Sequence, residues 1–312
     1  MGEGRPLARS AMRETLDTVE RRLTLPDGDL SLPSVALPEG DSIAGWAPGS
    51  LICEMPAERY HAHRDHLSQS QMADVLRSPA HYWAALHEPS RPQTPSQRIG
   101  SALHAALLEP ERYAREFVTW DGYRRGKAWD EFEAAHAGHE ILTSAERERI
   151  TGMAEAVLNF REINLRAVLR GGRTELSLFW SDPASRVRCK ARLDAYLDGL
   201  ILDLKTTDDA RPHAFSANAL RLGYDVQAAH YVDGVAQCFG PGVCTRFAFV
   251  AVEVEAPYSV WVYHVHGEAL ERGRARAQAA RNLVAYCREM NEWPGYEAPI
   301  SQLMLPAWAS RD

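Results

Sequence analysis

The chain has 312 residues, 45% hydrophobic and 25% charged, with a formal net charge of −7. That length buries a substantial core, in one large domain or one domain with extensions, and the acidic balance argues against a passive nucleic-acid coating protein. No run approaches the roughly 20 apolar residues of a membrane span and the N-terminus has no signal-like apolar stretch, so a cytoplasmic location without membrane partners is expected. Five scattered cysteines, Cys53, Cys189, Cys238, Cys244 and Cys287, form no CxxC pair. They argue against a disulfide framework or zinc ribbon and read as buried thiols.

Residues 1–47 are rich in Pro, Gly, Asp and Arg and predict a flexible arm, with 12–25 as a short helix. The folded domain is expected over 48–312, with order beginning near Tyr60. The run from Leu67 reads as a helix started by Ser68 or Ser70. Ser78-Pro79 ends it and opens a second helix through Leu86. Pro95 opens a third through Leu108, with Gly100 and His104 one turn apart on one face. A lone histidine beside Leu103 and Leu107 is ordinarily a packed core residue. Gly100 leaves room for a close approach, at some cost in helix stability. Arg124-Arg125-Gly-Lys127, with Tyr123 and Trp129 nearby, is the best basic candidate for a phosphate contact, against the alternative of a solvated loop. Residues 129–136 read as helix, and Thr143-Ser-Ala-Glu146 is a capping box opening a longer one.

Strands are predicted at 175–180, 187–197 and 200–207. The second and third are joined by Asp198-Gly199, a strong hairpin signal. In a two-residue loop Leu197 pairs with Leu200 and Asp194 faces Asp203. Leu193, Ala195, Leu197, Leu200, Leu202 and Leu204 then share an apolar face, and Arg192, Asp194, Tyr196, Asp203 and Lys205 the opposite one. Two carboxylates at roughly 4.5–5.5 Å between Cβ atoms repel. A hard divalent cation, Mg²⁺ or Mn²⁺, turns that repulsion into a binding site. Lys205 follows on the same face, roughly 7 Å along the strand. There it would orient or deprotonate an attacking water and offset charge in phosphodiester cleavage, or simply pair with an aspartate. Glu175, on the preceding strand, is within reach of the same cation.

A helical region at 212–238, interrupted near Leu222-Gly223, carries Gln227 and Tyr231 at i, i+4, positioned to orient a nucleotide or support Lys205. Strands at 245–254 and 258–266 and a long helix at 268–290 complete the chain. The order predicts an α/β fold, a mixed β-sheet flanked by helices with a helical N-terminal part.

Gly100-xxx-His104, Glu175, Asp194, Asp203-x-Lys205 and Gln227-xxx-Tyr231 together resemble the restriction-endonuclease-like PD-(D/E)XK nuclease superfamily in its RecB-like branch. Ser78-Pro-Ala-His-Tyr82, Leu204-Lys-Thr-Thr-Asp-Asp209, Tyr224-x-x-Gln227-Ala-Ala-x-Tyr231 and Trp293-Pro-Gly-Tyr296 narrow the resemblance to the catalytic domain of phage-type RecE, exonuclease VIII, from Tyr60 onward. The resemblance implies metal-dependent degradation of one strand of linear double-stranded DNA, 5′ to 3′, leaving 3′ tails for a RecT-type single-strand annealing protein. It implies His104, Asp194 and Asp203 as metal ligands, Lys205 as the lysine that assists water, and Glu175, Gln227 and Tyr231 in support. A ring-shaped homo-oligomer around DNA ends is implied as well. The residues alone leave open another polarity, single-strand preference, small phosphoester substrates or a non-catalytic DNA-end-binding scaffold.

Overall fold

A computed structural model describes residues 51–88, 92–161, 164–244, 246–297, 300 and 302–304. The expected arm at 1–47 lies outside the described residues.

The centre is a six-stranded mixed sheet. Its strands are β1 (Leu51–Glu54), β4 (Arg173–Ser181), β5 (Arg188–Leu197), β6 (Leu200–Thr207), β7 (Arg246–Glu253) and β8 (Val260–Val265), in that spatial order. β4, β5 and β6 form the expected antiparallel meander, and β7 runs parallel to β6. A parallel neighbour needs a crossover connection. Helices α9 (Pro212–Leu222) and α10 (Tyr224–Phe239) supply it, separated at Gly223, whose φ of +71° suits glycine. A separate parallel pair, β2 (Phe117–Trp120) and β3 (Glu140–Thr143), lies apart from the main sheet.

Helices cover both faces. On one, α2 (Gln69–Arg77), α3 (Pro79–His87), α10 and α11 (Glu268–Met290) pack over Leu176, Leu178, Leu193, Ile201 and Phe247. On the other, α4 (Pro95–Leu108), α7 (Ser144–Leu158) and α8 (Leu165–Gly171) pack over Ala195, Leu200, Leu202, Leu204 and Val250. Capping boxes at Ser68, Thr94 and Thr143 start α2, α4 and α7, and Ser78 caps α3. Short α1 (Ala57–Ala62), α5 (Pro110–Glu116) and α6 (Lys127–Ala135) complete the set. Among the described residues no helix is long and apolar enough to cross a membrane.

Two expectations need correction. Order begins before Tyr60, because Leu51–Glu54 pairs antiparallel with β4. The single apolar face also breaks: Leu193 packs with the α10 side, whereas Ala195 and Leu197 pack with the α4 side. Tyr196, expected on the polar face, is buried and stacked on Phe239. The alternation slips where Glu175 and Asp194 lie opposite each other. The ladder pairs Thr174 with Ala195 and Leu176 with Leu193 but skips the position between. Glu175 has φ +54°, a left-handed conformation that interrupts the pleat.

Candidate active site

The hairpin register is the expected one at its base, with Leu197 opposite Leu200, but pairing stops at Ala195 and Leu202. Beyond that point a side chain takes over from the ladder. Asp194 Oδ2 accepts the backbone N–H of Leu204 at 2.7 Å. The Leu204 carbonyl lies 3.1 Å from Nε2 of His104, on α4. A carbonyl only accepts, so His104 Nε2 carries a proton and a neutral ring leaves the Nδ1 lone pair free. That nitrogen is 3.5 Å from Asp194 Oδ2. Burial, then the Lys205 charge, lowers the His104 pKa and so favours the neutral ring.

Across the ladder, Glu175 brings a second carboxylate to Asp194, and one atom each of His104, Glu175 and Asp194 lie within 4.8 Å of one another. Burial and then Asp203 push the Asp194 carboxyl well above the usual carboxylate range. Burial and then Asp194 raise Glu175, partly offset by the ion pair that Arg192 makes with it. The Arg192 guanidinium also donates to the Met55 carbonyl at 2.7 Å and to Ser177 Oγ at 3.0 Å.

Asp203 and Lys205 point to the α10 side. Asp203 is 1% exposed, ion-paired to Lys205, and accepts from Gln227 Nε2 at 2.5 Å. Gln227 therefore acts on Lys205 through Asp203. Burial opposes the lysine's charge, but Asp203 and Asp194 outweigh it and raise the Lys205 pKa, so the group is an ammonium at neutral pH. Its Nζ lies 5.0 Å from the Tyr224 ring centroid and 5.5 Å from that of Phe249. Tyr231, one turn beyond Gln227, is buried and lines the same cleft as Asp194.

This donor set fits a divalent cation. Two carboxylates resist charging beside each other, and an imidazole lone pair faces one of their oxygens; a cation among them relieves both conflicts. His104, Glu175 and Asp194 would hold it. Glu175 thus joins the donor group within 4.8 Å, whereas Asp203 sits beside that group with its oxygens taken by Lys205 and Gln227.

The basic candidates lie elsewhere. Arg124 is tied down, donating to the Ile141 carbonyl at 2.6 Å with its guanidinium 5.5 Å over Trp129. Arg125 lies 5.1 Å over Tyr123, and Lys127 is 3.6 Å from Glu131. None of the three lines the cleft of about 230 Å³ beside the donors. That cleft contains residues not assigned to a site from the sequence, among them Tyr60, His61, Ser68, Ser70, Lys190 and Arg192. The period-two series Lys190, Arg192, Asp194 was the signal available for two of them. A second donor group, His63, Asp65 and His66, lies nearby. There Asp65 is already engaged by His66 at 2.9 Å and Arg188 at 2.7 Å.

A helix-flanked mixed sheet with carboxylates and a D-x-K lysine where its central strands part defines a protein of the PD-(D/E)XK class. Residues 68–301 match the family described as a PDDEXK-like domain of unknown function, and the chain belongs to that family. No curated protein matches the sequence. Among solved structures, a candidate exonuclease from Eubacterium rectale aligns over 81% of this chain and 96% of its own, at 14% identity and a TM-score of 0.55. That agreement shows a shared fold. A phage-related exonuclease from Haemophilus somnus 129PT aligns over 75% of this chain and 99% of its own, at 12% identity and a TM-score of 0.30.

Proposed function

We propose that this protein is a divalent-metal-dependent exodeoxyribonuclease, using Mg²⁺ with Mn²⁺ able to substitute. It would degrade one strand of linear double-stranded DNA from the 5′ end and leave 3′ tails for strand annealing. The observation that carries the nuclease reading is the convergence of His104, Glu175 and Asp194 beside a charged Lys205. The cation, when bound, supplies Lewis-acid stabilisation of charge on phosphate oxygens. Lys205, held by Asp203 and indirectly by Gln227, orients the attacking water and offsets charge developing on the phosphate. As an ammonium it serves better as donor than as base. Polarity, duplex preference, the RecT-type partner and a ring-shaped homo-oligomer rest on the resemblance to the RecE type. Arg125 and Lys127, both solvent-exposed, are assigned to the DNA backbone, and Arg124 to holding their loop.

Linear duplex labelled separately at the 5′ and 3′ ends tests the reading. Early release of the 5′ label, with closed circles untouched, supports it. Early release of the 3′ label discards the polarity and keeps the nuclease. End binding without cleavage in Mg²⁺ or Mn²⁺ favours a scaffold instead.

A further inference from the structure

The segment joining α1 to α2 carries three side chains that the hydrolytic centre leaves unused, His63, Asp65 and His66. One donor atom of each lies within 4.8 Å of the others. The chain gathers them locally. The His66 N–H closes a turn on the His63 carbonyl at 3.3 Å, and the next residue, Leu67, anchors to β5 through the Arg188 carbonyl at 2.8 Å. Both rings stand edge-on to Phe179 of β4, at 5.3 and 5.4 Å between centroids. The group shares no residue with His104, Glu175 and Asp194, and none of its side chains lines the catalytic cleft. A cation held here would have no ligand in common with the hydrolytic one.

Two features mark these side chains as ligands. His63 Nε2 is buried and has no hydrogen-bond partner among the described residues, a state that costs stability unless something binds the nitrogen. His66 is 6% exposed, with Nδ1 2.9 Å from Asp65 Oδ1, while Arg188 holds the other oxygen, Oδ2, at 2.7 Å. A metal ion can take the place of the proton between Nδ1 and Oδ1. The Arg188 bond to Oδ2 then persists as the outer contact that orients a ligating carboxylate. Donors bound to one Zn²⁺ at about 2.1 Å stand roughly 3.4 Å apart, so small ring movements close the group on an ion.

Two imidazoles and one carboxylate also discriminate between cations. Imidazole suits Zn²⁺ rather than Mg²⁺, and Mn²⁺ stands at the weak end of the divalent affinity order. We propose that His63, Asp65 and His66 form a Zn²⁺ site that ties the α1–α2 connection to β4 and β5. An ion there would steady α1, whose Tyr60 and His61 line the catalytic cleft.

The test titrates Zn²⁺ into the full chain, stripped with EDTA and then freed of it, by calorimetry in excess Mg²⁺. The Asp194→Asn background excludes Zn²⁺ taken by the catalytic donors. One Zn²⁺ equivalent should still bind there and raise the melting temperature, and Mn²⁺ at the same concentration should not replace it. Adding His63→Gln should weaken that equivalent at least about a hundredfold, the upper scale for losing even an outer contact, and abolish the melting shift. Should His63→Gln lose its fold by circular dichroism, Asp65→Asn decides, because Asp65 is half-exposed and the amide keeps its size without its charge. No Zn²⁺ bound in the Asp194→Asn background overturns the site. Binding undiminished by the substitutions in folded protein overturns it too, and places the ion on other histidines such as His136 and His139. Cleavage in Mg²⁺ is measured separately, so the nuclease reading stands or falls apart from the Zn²⁺ site.

Discussion

Asp194 occupies a position in the β-ladder with its side chain: its Oδ2 holds the Leu204 N–H at 2.7 Å where β5 and β6 cease to pair. The Leu204 carbonyl meets His104. One backbone unit of β6 therefore fixes two of the three candidate metal donors, and the site's geometry is set by the main chain.

The first prediction concerns cation binding. A ligand at a hundredfold its dissociation constant stabilises the folded state by about 2.7 kcal/mol. Mn²⁺ should raise the melting temperature of the wild type. Asp194→Asn retains an oxygen for the Leu204 N–H but loses the charge, so its melting temperature should stay flat as Mn²⁺ is titrated. An equal rise in both proteins places the cation elsewhere.

Glu175 supports a second prediction, because its φ of +54° is a conformation that only glycine adopts without strain. Glu175→Gly and Glu175→Ala both delete the carboxylate and the Arg192 partner. They differ only in the Cβ methyl, which the positive φ strains, so the glycine variant should be more stable by about 1 kcal/mol in urea denaturation. Equal stabilities would show that the left-handed conformation is not held in solution.

Close packing of α11 on α10 gives a third. A Cβ on Gly273 would lie 2.0 Å from the Asp225 carbonyl oxygen. Asp225 is two residues before Gln227, the residue that braces Asp203. Gly273→Ala should cost roughly 1–3 kcal/mol or more by overpacking and should also reduce cleavage, read by denaturant midpoint and by rate. A neutral effect on both contradicts the packing.

His230 supplies a pH test. It is fully buried, with Nε2 3.0 Å from the Lys190 carbonyl. Burial, then Arg281, pulls its pKa down from 6.5 to about 3. Between those values the unfolded chain binds a proton that the folded chain refuses, so this contribution is complete above pH 6.5 and is lost progressively as pH falls towards 3. His230→Gln should make the dependence of unfolding free energy on pH shallower by up to about 1.4 kcal/mol per pH unit between pH 4 and 6. An unchanged slope would show that the ring titrates freely.

The sequence carried the elements with strong local signals. The Asp198-Gly199 turn set the Leu197–Leu200 register, and the serine and threonine caps marked the helix starts. It did not reveal β1, β2, β3, α1, α5 or α8, which run four to seven residues and leave little room for a period to declare itself. His104, Asp194, Asp203, Lys205 and Gln227 were legible as a set because their spacing resembles a known one. Their division of labour was not. The break at Glu175 rests on one dihedral angle, and Glu175, across the ladder from Asp194, joins it and His104 in the donor group that Asp203 was expected to complete. Lys190 escaped notice because the burial of its side chain against Tyr60 is a tertiary property.

The most direct measurement is the rate of nucleotide release from linear duplex DNA in Mg²⁺ by the wild type and by Lys205→Ala, with both folds checked by circular dichroism. The account predicts cleavage by the wild type and a loss of at least about a hundredfold in the variant, the scale of one charge-stabilising group at a reacting centre. Equal rates in the two proteins, or no cleavage by the wild type in either Mg²⁺ or Mn²⁺, would contradict it.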